Sequence, residues 1–165
     1  MDMLNAAPLT VSLANSGLVA GTTSTYTTTA TTNCVINGQY RTQLTAQTNA
    51  ASPTTDATTG LAFVPVLANQ ACTLLWGINA AGAIRLAQGS IVPTEVGVTT
   101  TVGNFILAPI LPSYPDDFCP IGYQLVRVSP TGATFTPGTT AWAASGITCS
   151  VIRSIMIQPG RPQLS

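Results

Sequence analysis

The clearest periodicity in the chain is a two-residue alternation of apolar and polar positions, and it recurs in short runs. Over residues 146–158, Ile147, Cys149, Val151, Ile155 and Ile157 share one face, with Thr148, Ser150 and Ser154 opposite. That pattern predicts a half-buried strand. Arg153 interrupts the apolar face, so it must reach the rim of the sheet or a partner carboxylate. Residues 39–47 also alternate, with Tyr40, Leu44 and Ala46 on one side and Gln39, Arg41, Gln43, Thr45 and Gln47 on the other. They follow Cys34-Val35-Ile36 across Asn37-Gly38, a pair suited to a two-residue hairpin turn because both positions need positive φ.

Residues 72–78 form a nearly continuous apolar run. Asn79-Ala80-Ala81-Gly82 and a return run over 83–89 follow, predicting a second hairpin with a longer loop. Each hairpin has a Cys before its turn and an Arg after it (Arg41, Arg85), a recurrence too short to mark a duplication. Residues 123–129 turn at Pro130-Thr131-Gly132 into 133–136, a third hairpin signal. Short strands are predicted at 91–93 and 96–102, and an apolar strand at 104–108 that runs into a Pro-rich bend over 109–120. Residues 63–67, interrupted by Pro65, make at best an edge piece, and 49–60 is a loop by composition. The Thr-rich stretch 22–32 suits either a linker, by its low complexity, or a polar strand, by its β-branching.

No sustained i, i+3, i+4 stripe with caps appears, so no helix is predicted. Many short strands with turns about every ten residues predict an all-β fold. The expected form is an antiparallel β-sandwich or jelly-roll-like module, with a barrel as the other closed arrangement. Residues 1–21 read as an extended arm or edge strand, 22–158 as the sandwich, and 159–165 as a short tail whose Pro and Gly cannot continue a strand.

Composition narrows the function. The 165 residues hold five Arg, four Asp and one Glu, with no Lys and no His, and the net charge is zero. Ordinary domains are about 25% charged. This chain, at 6%, has almost no charge repulsion against association. Its 27 Thr against a single Glu add to the strand signal. No basic run exists to neutralise phosphates or anionic lipid, so neither nucleic acid nor membrane is an expected partner. No apolar run approaches the ~20 residues that span a bilayer, and no positive segment precedes an apolar stretch as in a secretory signal. The chain is therefore expected to be made and retained in the cytosol, at least until any assembly it joins leaves the cell.

The same census removes most catalytic chemistry. Without His or Lys there is no imidazole base, no metal-bound imidazole and no Schiff-base or phosphate-loop lysine. Cys34, Cys72, Cys119 and Cys149 fit no zinc spacing, so no metal and no cofactor is expected. Free buried thiols are their expected state, with two disulfides as the alternative in an oxidising setting. Among carboxylates, Asp116 and Asp117 are adjacent and point to opposite sides of an extended chain. A glycosidase pair would need Asp56, Glu95 or Asp2 to converge on them, whereas the simpler role is to cap or solvate a turn. Trp76, in an apolar run, reads as core; Trp142, among small residues, is the better candidate of the two for an exposed contact, yet a core or subunit-interface place is expected ahead of that. Interfaces are enriched in Trp and Arg, so the contact candidates are Arg41, Arg85, Trp142, Arg153 and Arg161.

The stretch Ala68-Asn69-Gln70-Ala71-Cys72-Thr73-Leu74-Leu75-Trp76-Gly77-Ile78-Asn79-Ala80-Ala81-Gly82-Ala83-Ile84-Arg85 resembles small structural proteins of tailed-bacteriophage particles. So do Leu111-Pro112-Ser113-Tyr114-Pro115-Asp116-Asp117-Phe118-Cys119-Pro120-Ile121-Gly122-Tyr123 and the ending Gly160-Arg161-Pro162. Among these the chain is most similar to capsid decoration, or cement, proteins. The resemblance implies a non-enzymatic β-sandwich on the capsid surface, a homo-oligomer (a trimer foremost) whose partner is the major capsid protein. The alternative is a receptor- or glycan-binding module of a fibre or tail.

Overall fold

A computed structural model describes residues 9–43, 45–155 and 159. Among them all regular structure is β, and every strand pair is antiparallel. The central sheet is built on β7 (Gln70–Asn79) and β10 (Phe118–Val128), in the order β11-β10-β7-β8 with β8 Ile84–Gln88 and β11 Ile147–Cys149. The short β9 (Val92–Pro93) extends the edge of β7, and β12 (Arg153–Ser154) that of β10. Two three-stranded sheets complete the sandwich-like layers. One joins β1 (Val11–Ser12), β4 (Thr32–Ile36) and β5 (Gln39–Gln43). The other joins β2 (Val19–Ala20), β3 (Thr25–Thr28) and β6 (Gln47–Ala51).

The apolar run in β7 is continuous because the strand is covered on both faces: residues 71–79 are all buried. On one face Cys72, Leu74, Trp76 and Ile78 pack with Val126 of β10 against Leu18, Tyr26, Phe63, Phe135 and Trp142. On the other, Leu75, Ala87, Phe118 and Tyr123 lie under Leu111 and Tyr114 of the Pro-rich segment. That segment is strapped down by the Thr73 hydroxyl, which donates to the Ile110 carbonyl at 2.6 Å, and by the Thr58 hydroxyl, which donates to that of Ser113 at 2.7 Å.

The first two predicted hairpins form. Asn37 and Gly38 take φ of 52° and 74°, and Ile36 pairs with Gln39 across them. In the second turn Asn79 Oδ1 accepts the amides of Ala81 and Ala83, while Gly82 takes φ of 87°. The Thr-rich stretch holds a polar strand over Thr25–Thr28, with turn residues on either side: Tyr26 and Thr28 of β3 point inward and β4 begins at Thr32.

Four expectations need correction. The third hairpin does not form, because Ser129 receives Gly132 in a tight turn and Phe135 then pairs with Val66, leaving β11 as the neighbour of β10. Residues 96–102 fold back on themselves through Val98 and Thr101, and 104–108 make one bridge, Phe105 to Thr94. Residues 39–51 divide between two sheets, so the run 39–47 is not one strand and the loop begins only after Ala51; Tyr40 is exposed. Leu44 and Ile157 lie outside the described residues. Finally, the alternation over 146–158 changes phase. Val126 pairs with Cys149 and Tyr123 with Arg153, one residue out of step, and both the amide and the hydroxyl of Ser150 bond to Leu125. Val151 is thereby pushed out, 80% exposed, and Ile152 turns in at 5%. A one-residue slip of this kind reverses every later side chain.

Candidate functional site

That slip decides where Arg153 goes. Directly opposed residues in an antiparallel pair share a face. Arg153 therefore joins the face of Tyr123, away from the main core it would otherwise have interrupted. Tyr123, Leu125 and Arg127 alternate along β10 on that same face, and Arg127 sits in a row with Ala71 and Thr148. Arg127 and Arg153 consequently line one pocket of about 280 Å³, together with Phe105, Leu125, Thr148 and Val151. No acidic side chain lines it.

The Arg127 guanidinium lies over the Phe105 ring, 5.2 Å from its centroid, and one of its N–H groups donates to the Gly103 carbonyl at 3.2 Å. Five donors in a planar fork exceed that one acceptor, so the group can also take a carboxylate. Val96, Val98, Ile106, Leu107 and Ile110, on either side of Phe105 in the chain, are all exposed large hydrophobics, as is Val151 at the pocket itself. The chemistry on offer is cationic donors in an apolar surround. Arg127 was missed in the sequence, although it interrupts an apolar alternating run just as Arg153 does.

The other predicted contact residues are not gathered there. Arg41 is exposed on β5 opposite Cys34, and Arg85 is exposed on β8, bordering a small pocket with Asp56 and Asp117. Arg161 lies outside the described residues. Trp142 is not a surface contact. It is 5% exposed, with ring centroids of Trp76 and Phe135 at 5.9 and 5.7 Å. Small neighbours in sequence do not expose a large ring when the fold brings a sheet over it.

The carboxylates are engaged structurally. Asp56 is buried: one oxygen accepts the Gln88 amide at 3.1 Å, the other the Thr59 hydroxyl at 2.9 Å. Glu95 accepts the Asn104 side-chain amide at 3.0 Å, and Asp116 and Asp117 are exposed in the turn before β10. Among the described residues no three His, Cys, Asp or Glu side chains gather as a metal would need, and no helix is long and apolar enough to cross a membrane.

All four cysteines are free thiols. Cys72 and Cys149 flank Val126 in one row of the sheet, two strand spacings or about 10 Å apart, beyond the reach of a disulfide. Burial pushes each up to about 12. Cys34 and Cys119 instead meet, side chain to side chain, between β4 and β10. The hydrogen bond from Cys119, aided by Arg41, holds the Cys34 thiol below its ordinary value against the effect of burial; the same bond and burial raise Cys119. No family model matches the chain, and neither does any curated protein or solved structure.

Proposed function

We propose that this chain is a non-enzymatic structural protein of a phage particle, which decorates and stabilises the capsid by binding the assembled shell of major capsid protein. The observation that carries the reading is the surface. Thirteen large hydrophobic residues are exposed among the described residues, on a chain with ten formal charges, and two of its cations share a pocket with an apolar rim. Such a surface is suited to being covered, and the Arg127 guanidinium has donors to spare for a carboxylate from the partner. A module that binds the assembled shell and not its free subunits stabilises it by mass action, multiplied over many copies. A homo-oligomer, foremost a trimer, fits the same low charge.

The test is cosedimentation of the purified protein with expanded heads stripped of accessory proteins, from the phage that encodes the chain. Binding is expected, with Arg127→Gln weakening it by about tenfold or more. Failure of the unaltered protein to cosediment overturns the reading.

A further inference from the structure

Cys34 and Cys119 are both fully buried, and about half the chain lies between them. One sits on β4 of a three-stranded sheet, opposite Arg41, and the other on β10 of the central sheet, opposite Ile78. The two strands approach within 8 Å, Cα to Cα, and the thiols touch in a small cluster with Ile36. Closing contacting thiols to the ~2.05 Å of a disulfide takes a shift on the order of 2 Å, small enough for a three-stranded edge sheet to absorb.

We infer that Cys34 and Cys119 form an oxidation site, a dithiol that small-molecule disulfides such as oxidised glutathione convert into a buried cross-link between the two sheets. In the first step the Cys34 thiolate attacks one glutathione sulfur. A protein–glutathione bond forms, the glutathione disulfide breaks, and one glutathione thiolate leaves and is protonated by water. In the second, Cys119 gives its proton to water and its thiolate attacks Cys34 Sγ, which releases the second glutathione thiolate. Two protein thiols lose two electrons, and one oxidised glutathione becomes two reduced ones.

The order of attack follows from the electrostatics. Cys34 is the more acidic thiol, because Cys119 hydrogen-bonds to it and Arg41 stands across the strand. Local separation of the β4–β5 hairpin must admit the oxidant, since neither sulfur reaches solvent in the closed form. The bond would close a long loop, the situation in which a cross-link most restricts the unfolded chain. The inference does not depend on a capsid partner.

The experiment refolds the full chain from urea in a glutathione redox buffer, alkylates remaining thiols in acid, and maps peptides by mass spectrometry without reduction. The expected result is a dominant Cys34–Cys119 linked pair, with Cys72 and Cys149 recovered alkylated and a higher urea midpoint than for reduced protein. Recovery of Cys34 and Cys119 as alkylated thiols, or links spread over other pairings, overturns it. The same mapping on folded protein held with oxidised glutathione in sub-denaturing urea removes any dependence on refolding, and free Cys34 and Cys119 there are equally fatal. In Arg41→Gln the pH midpoint of the oxidation rate moves upward; an unmoved midpoint removes Cys34 as the attacking thiol.

Discussion

The indole N–H of Trp142 donates to the carbonyl of Thr25 at 2.8 Å, tying the loop before β11 to β3 across 117 positions of sequence. The Trp142 amide adds a bond to the Thr23 carbonyl at 3.0 Å, so ring and backbone both dock on the same strand entrance. The ring then continues an aromatic row, from Tyr26 through Trp76 and Trp142 to Phe135, with successive centroids 5.7, 5.9 and 5.7 Å apart. Replacing it separates the two contributions. Trp142→Phe keeps most of the packing but removes one of two hydrogen bonds to the Thr25 carbonyl, which still accepts the Gly21 amide, at a cost of about 1 kcal/mol. Trp142→Ala also opens a cavity, at a cost of about 3–5 kcal/mol. Urea unfolding measures both, and an alanine variant within about 1 kcal/mol of the parent would contradict a core role for Trp142.

Gly77 is required by a neighbour. A Cβ built there would stand 2.2 Å from the Phe118 ring, which crosses directly over the strand. Gly77→Ala should therefore destabilise by about 1–3 kcal/mol through overpacking. Adding Phe118→Leu should recover part of that loss, although Phe118→Leu alone is destabilising. Strict additivity of the two substitutions would show that the ring is not what excludes the side chain.

The parts of the fold that are local in sequence were legible there. Asn37-Gly38 specifies its turn by itself, and the unbroken run 72–78 follows from a strand covered on both faces. What could not be read was set by partners distant in the chain. Nothing near Val151 announces that the Ser150 amide donates to the Leu125 carbonyl while its hydroxyl accepts the Leu125 amide, and that detail reverses Val151, Ile152 and Arg153. Small neighbours left the place of Trp142 open between core and interface, while the groups that bury it come from β3, β7 and Phe135. The Arg127–Arg153 pocket was half legible, since Arg153 was seen to be out of place on its face and Arg127, with the same signature, was not. The meeting of Cys34 with Cys119 left no local trace at all.

Asp56 acts as a structural fork. It accepts from the Gln88 amide with one oxygen, and from the Thr59 amide and hydroxyl with the other, joining the loop after β6 to the end of β8. Asp56→Ala leaves these donors without their acceptor in a mostly buried place, and should cost about 2–3 kcal/mol. Asp56→Asn retains one acceptor oxygen and should cost less. A smaller loss for alanine than for asparagine, measured by chemical unfolding, would rule out the fork.

The buried thiols also set a limit on alkaline stability. Cys72 lies fully buried with only a 4.0 Å contact from the Gln88 side-chain amide, and both it and Cys149 are pushed from 9.0 up to about 12. In the unfolded chain they ionise near their ordinary value, while the folded protein holds the protons for about three further pH units. The unfolded state thus binds fewer protons in this window, and stability falls as pH rises. Their contribution is fully present below about pH 9 and is lost progressively toward about pH 12, with a limiting slope near 1.4 kcal/mol per pH unit for each thiol. Tyr26, raised by burial, adds to the decline at the upper end. Urea midpoints of reduced protein from about pH 8 to about pH 11 should therefore drop, and drop less steeply in Cys72→Ala, whatever that substitution costs at neutral pH. Parallel curves for parent and variant would mean that Cys72 ionises as readily in the folded protein as in the unfolded one, and would overturn the role of its burial beside Val126 of β10.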